Sequence, residues 1–193
     1  MTPLLLASSS LYRRELLARL KLPFVWQSPD VDERPYPNEA PEELVRRLAQ
    51  AKAKALYPSA QADQLIIGSD QVAVLEGKIL GKPGHFDQAK AQLQAASGQM
   101  LSFFTGLAVL NSRTNQVQLE HTIFKVYFRP LSEAEIERYL HLEQPYDCAG
   151  SFKAEGLGVS LFQKTEGEDS TSLIGLPLIK LTELLRKEGI NIP

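Results

Sequence analysis

The chain has 193 residues, 44% of them apolar and 23% charged, with a formal net charge of −2. That length suits one well-buried α/β domain or two small lobes, leaves little room for a third, and with this composition excludes a wholly disordered chain. The near-neutral balance gives no global reason to bind nucleic acid or an anionic membrane, so any anion binding must be local.

The apolar run at residues 4–6 predicts a strand that feeds a helix through Ser8, Ser9 and Ser10. Ser10 is a good N-cap, and Leu16, Leu17 and Leu20 form the helix's apolar stripe. Arg13 and Arg14 in the first turn oppose the helix dipole, a conflict that a bound phosphate would relieve. The competing reading is a capped surface helix with two solvated arginines. A polar, proline-marked loop at 28–41 then carries Asp30, Asp32 and Glu33. Pro41 opens a helix with Leu44, Val45, Leu48 and Ala49 on one face, which Pro58 ends. A short strand at 65–67 is expected to run into Gly68, Ser69, Asp70 and Gln71, a strand end of the kind that often holds catalytic carboxylates. Residues 72–75 and 79–80 suggest a hairpin around Glu76 and Gly77, followed by Gly81, Lys82 and Pro83.

A helix at 87–96 precedes two long antiparallel strands, 101–110 and 117–128, so the sheet is mixed. Ser132 and Glu135 make a capping box for a helix reaching about 142. A loop at 151–156, a strand at 159–162 and a last helix at 177–187, stopped by Gly189, complete the chain. There are no repeats, low-complexity tracts or long linkers, and lobes, if there are two, would be interleaved. Residues 1–10 lack the basic region and apolar length of a secretory signal, and no stretch approaches a membrane span, which predicts a cytoplasmic protein without a membrane partner. Cys148, the one cysteine, reads as a buried thiol, and His85, His121 and His141 lack zinc-motif spacing. A bound metal would therefore be hard and oxygen-ligated.

Asp70 alone could be a turn residue bonding its own backbone. Together with Asp32, Glu33, Lys82 and Lys153 it supplies the carboxylates and scattered cations that metal-assisted phosphoryl chemistry needs. The run from Gly77 to Pro83 is not a phosphate-binding loop of the Walker type, because only three residues separate its glycines and proline follows Lys82. Lys52 on a polar helix face reads first as solvated, and Tyr12 as a surface aromatic.

Taken in order, Leu6-Ala7-Ser8-Ser9-Ser10 to Arg13, Asp32-Glu33, Ile67-Gly68-Ser69-Asp70, Leu80-Gly81-Lys82-Pro83 and Gly150-Ser151-Phe152-Lys153-Ala154-Glu155-Gly156 resemble the Maf family of nucleoside triphosphate pyrophosphatases over essentially the whole chain. The resemblance implies an elongated α/β fold related to inosine triphosphate pyrophosphatases: one domain over residues 1–193, with a mixed sheet, flanking helices and two interleaved lobes around a central cleft. It implies hydrolysis between the α and β phosphates with Mg²⁺ or Mn²⁺, Asp70 as proton acceptor and metal contact, and Glu33 assisting the ion. Ser8, Ser10, Arg13, Lys52, Lys82 and Lys153 become candidate phosphate ligands. Ser69-Asp70-Gln71 departs from the Ala-Asp-Thr of the dTTP and UTP branch. With Tyr12 and Glu155 it is more similar to the branch that hydrolyses 7-methyl-GTP to 7-methyl-GMP and diphosphate, removing a nucleotide that could be misincorporated. An aromatic ring and a carboxylate suit the delocalised positive charge of 7-methylguanine, with Gln71 as a hydrogen-bonding reader. A dTTP, UTP or CTP pyrophosphatase and a non-catalytic nucleotide-binding regulator of cell division are the alternatives, and a homodimer is compatible with the family.

Overall fold

A computed structural model of the chain describes residues 3–60 and 63–193. Its strands are β1 (Leu4–Ala7), β2 (Phe24–Gln27), β3 (Leu65–Leu75), β4 (Lys78–Leu80), β5 (Met100–Asn111), β6 (Val117–Phe128) and β7 (Phe162–Glu166). Its helices are α1 (Leu11–Ala18), α2 (Pro41–Ala55), α3 (Phe86–Ala96), α4 (Glu133–Glu143), α5 (Ser170–Ile174) and α6 (Leu178–Lys187). The seven-stranded sheet runs β2-β1-β3-β5-β6-β7, with β4 on β3. It is mixed: β1 pairs in parallel with β2 and β3, whereas β3 with β4 and β6 with β7 are antiparallel. No helix among the described residues is long and apolar enough to cross a membrane.

The chain divides into two compact units. The first comprises Met1–Asp70, Thr105–Thr122 and Asp169–Pro193, the second Gln71–Phe104 and Ile123–Glu168.

In the first unit both sheet faces are buried, which is why β1 and the start of β3 read as unbroken apolar runs. Leu4, Leu6, Leu65, Ile67, Leu107 and Val109 pack with the leucines of α1 and α6. Leu5, Ala7, Ile66, Ala108 and Leu110 pack with Ala49 and Ala53 of α2 on the opposite face. Because side chains alternate along a strand, Gly68 and Asp70 belong to the α2 face with Ile66, and Ser69 to the other. A Cβ on Gly68 would lie 2.1 Å from the Ala49 carbonyl oxygen, and one on Gly106 2.1 Å from that of Val45. Two glycines and two alanines thus let α2 lie almost against the strands.

The second unit is built on an aromatic cluster in which Phe152 meets Phe103, Phe128 and Phe162 edge-on at 5.4, 5.5 and 4.9 Å. Lys90 of α3 reaches Glu133 and Glu137 of α4.

Two sequence expectations are corrected. Residues 65–75 form one continuous strand, so Asp70 sits inside β3, two residues beyond its last pairing with β1 at Gly68. Residues 159–162 are not a strand: a 3₁₀ segment at Leu157–Leu161 precedes β7, which is displaced to Phe162–Glu166 and mostly exposed. Two elements, β2 and α5, were not expected. β2 exposes Val25 and Trp26 and carries no apolar alternation, and α5 has only five residues.

Candidate active site

α2 places Lys52 on the same face as Val45 and Ala49, about two turns from the first and one from the second, and the glycine contacts draw that face onto β3. The lysine is consequently buried, with its ammonium 2.6 Å from Asp70 Oδ1 and 2.7 Å from Glu33 Oε1. Asp70 is itself buried, whereas Glu33 reaches in from the exposed 28–41 loop. Lys52 is therefore not the solvated cation that its polar neighbours suggest. Asp32 turns away to Arg34, whose guanidinium and then backbone amide lower its carboxyl to about 2 by hydrogen bonding to it.

Ser10 caps α1 by accepting the Arg13 amide at 3.4 Å, and Ser8 Oγ accepts the Ser10 amide at 3.1 Å. Accepting these amides orients each hydroxyl, and its O–H is the part that an anionic oxygen would take. Arg13 donates from Nε to the Gly175 carbonyl at 2.8 Å, which orients its guanidinium fork. Burial pushes Arg13 below its ordinary value, and the charges of Asp70 and Glu33 oppose that shift. Arg14 has a different fate, lying 4.1 Å over the ring of Trp26. Only one of the two arginines faces the carboxylates.

Sequence reasoning missed what holds Arg13. Ser69, fully buried, has its hydroxyl within donor range of the Gly106 and Gly175 carbonyls, at 2.8 and 3.0 Å. Gly175 ends α5, whose N-cap Asp169 accepts from the Thr171 amide and hydroxyl and, through its other oxygen, from the Ile179 amide. Asp169 followed by Ser170 and Thr171 was a readable cap signal.

The remaining candidates except Tyr12 belong to the second unit. Gln71 is half-buried on β3; Lys82 is exposed after β4, and Glu155 exposed near the 3₁₀ segment. Lys153 donates its amide to Tyr139 Oη at 3.0 Å and its ammonium to the Glu143 carbonyl at 2.8 Å, at the end of α4. Burial raises the Tyr139 hydroxyl above its ordinary value. Tyr12, in the first unit, is half-buried on α1.

Among the described residues no group of three or more His, Cys, Asp or Glu side chains is arranged for a metal ion. Asp70 and Glu33 nevertheless bring two carboxylate oxygens to one cation, the Lys52 ammonium. An all-oxygen pair of this kind fits a hard divalent ion, which takes one or two carboxylates together with phosphate and water oxygens.

The chain is 63% identical over 193 residues to 7-methyl-GTP pyrophosphatase of Pseudomonas fluorescens strain Pf0-1, covering 100% of both chains. It is 58% identical over 196 residues to 7-methyl-GTP pyrophosphatase of Pseudomonas aeruginosa strain PAO1, again covering 100% of both. Among solved structures, the Staphylococcus aureus Ham1 protein is similar in fold, with a TM-score of 0.53 at 10% identity over 96% of this chain and 99% of that one. A sequence model of the family described as Maf-like protein matches residues 3–188. A family match over nearly the whole chain and relatives of this identity leave one assignment: the chain belongs to the Maf family.

Proposed function

We propose that the chain is a hydrolase that cleaves 7-methyl-GTP to 7-methyl-GMP and diphosphate, removing a modified nucleotide that could be misincorporated. The observation that carries this reading is the buried Asp70 carboxylate beside Lys52, with Glu33 and Arg13 close enough to share its electrostatics. Asp70 takes a proton from water as its oxygen attacks the α-phosphorus, and the α–β bridging oxygen leaves with the diphosphate. A divalent ion such as Mg²⁺ or Mn²⁺, held by Asp70 and Glu33, would neutralise charge on the phosphate chain. Ser8, Ser10, Arg13, Lys52, Lys82 and Lys153 bind phosphate oxygens. The Lys52 contact also fixes the direction of the Asp70 carboxylate. Tyr12, Gln71 and Glu155 select the base: the ring stacks on the cationic purine and the carboxylate offsets its charge. Support for the base comes from the relatives named above.

The test is diphosphate release across 7-methyl-GTP, dTTP, UTP and CTP with Mg²⁺ or Mn²⁺, for the native chain and Asp70→Asn. The expected result is preference for 7-methyl-GTP, and a loss in the variant of roughly 10²–10⁴-fold, the worth of a general base. Preference for dTTP, UTP or CTP would reassign the substrate. Tight nucleotide binding without turnover would replace the enzyme with a regulator.

A further inference from the structure

Gln92 lies on the buried face of α3 with Ala89, Leu93 and Ala96, where an apolar side chain would be expected. An amide taken out of water is costly unless it is bonded, and this one is bonded at both ends. Its Oε1 accepts from the Ser151 hydroxyl at 2.5 Å, and its Nε2 donates to the Gly81 carbonyl at 3.0 Å. The reverse orientation would set two carbonyl oxygens against each other, so the amide has one arrangement. Ser151 is also fully buried and left-handed at φ 62°, directly after Gly150 at φ 76°. Left-handed backbone at a residue other than glycine persists where its surroundings hold it. Here the hydroxyl bond and the wedging of Phe152 among Phe103, Phe128 and Phe162 do so. The two loops joined through Gln92 carry Lys82, one residue after Gly81, and Lys153, two residues after Ser151.

Resting on the reading of Lys82 and Lys153 as phosphate ligands, we propose that Gln92 is a positioning residue for polyphosphate: one buried amide ties both lysine-bearing loops to α3 and presents their ammoniums from a common frame. It touches neither substrate nor reacting atoms. Its contribution therefore falls on binding and not on the chemical step.

Gln92→Met keeps the length of the side chain and removes both bonds, and Ser151→Ala removes one. The nucleotide KM of Gln92→Met is expected to rise about tenfold, with kcat changed less than twofold, and Ser151→Ala to give a smaller rise in the same direction. The Kd for inorganic tripolyphosphate, measured by calorimetry, is expected to rise by the same factor. In a Lys82→Ala/Lys153→Ala background the Gln92→Met effect is expected to vanish, which a merely structural role would not produce. Unchanged KM and Kd in Gln92→Met, or an equal penalty without the two lysines, would overturn the proposal. Should Gln92→Met fail to fold, Ser151→Ala decides it by the same criteria. A native chain that releases no diphosphate refutes the proposed function separately, and the tripolyphosphate measurement still decides the role of Gln92.

Discussion

Lys52→Met removes an ammonium shared by two carboxylates while keeping an apolar stem of similar length, so the change is electrostatic and opens no cavity. The Glu33 contact adds little, because that side chain is 60% exposed and exposed pairs are worth about 0–1 kcal/mol. The Asp70 contact dominates: the residue is only 6% exposed, and a buried charge stripped of its partner costs about 3–5 kcal/mol. In a protein of this size that loss lowers the unfolding midpoint by roughly 6–20 °C, measured by circular dichroism at pH 7. The double variant Lys52→Met/Asp70→Asn, in which no charge is stranded, is expected to recover more than half of the loss, a coupling of about 2 kcal/mol. Mg²⁺ is expected to stabilise Lys52→Met more than the native chain, since its carboxylates have lost their cation. A single variant within about 1 kcal/mol of native, or a double variant no better than the single, would refute the buried-charge account.

Gly68→Ala is expected to cost about 1–3 kcal/mol or more in urea unfolding, because its Cβ would press on the Ala49 carbonyl and α2 must lift. Gly77→Ala, with nothing within 4 Å of the new Cβ, should cost only the left-handed strain of about 1–2 kcal/mol, and the reverse ranking would contradict the packing argument. Asp169→Ala unties the cap of α5 and the start of α6 and should cost on the order of 2–3 kcal/mol, whereas a loss under 0.5 kcal/mol would count against that role. Glu135 is lowered from 4.5 to about 2, chiefly by the Ser132 amide, then by the Ser132 hydroxyl and Arg129. A depressed folded value means stability that is present above about pH 4.5 and lost as pH falls towards 2. Glu135→Gln should flatten that acid limb, and an unchanged slope would exclude the capping carboxylate as its source.

Local signals were the readable ones. Ser10 capping α1 and the Ser132–Glu135 box each lie within four residues of their partners, so the sequence window contains the whole interaction. The pairing of Lys52 with Asp70 spans eighteen positions and depends on α2 touching β3, which no helical periodicity announces. Gly68 looked like the start of a loop because glycine usually breaks strands; here it keeps the strand and admits a helix. β7 was misplaced because its exposed residues carry no apolar alternation, and the buried Leu161 just before it drew the expected strand upstream. The carboxylate, serine and lysine motifs were legible as residue types. Their supports, Ser69, Gly175 and Gln92, were not, since each acts through a contact distant in sequence.

The stacking of Arg14 on Trp26 bears on solution behaviour. β2 is the edge strand of the sheet next to β1, and it exposes Val25 and Trp26. Edges of this kind invite strand addition and aggregation unless they are short, charged or covered. With only four residues in β2 and a guanidinium lying over its indole, the edge is both brief and charged, two of the features that blunt strand addition. Of two adjacent arginines in one helical turn, one faces the carboxylates and the other shields the indole of the sheet's edge strand.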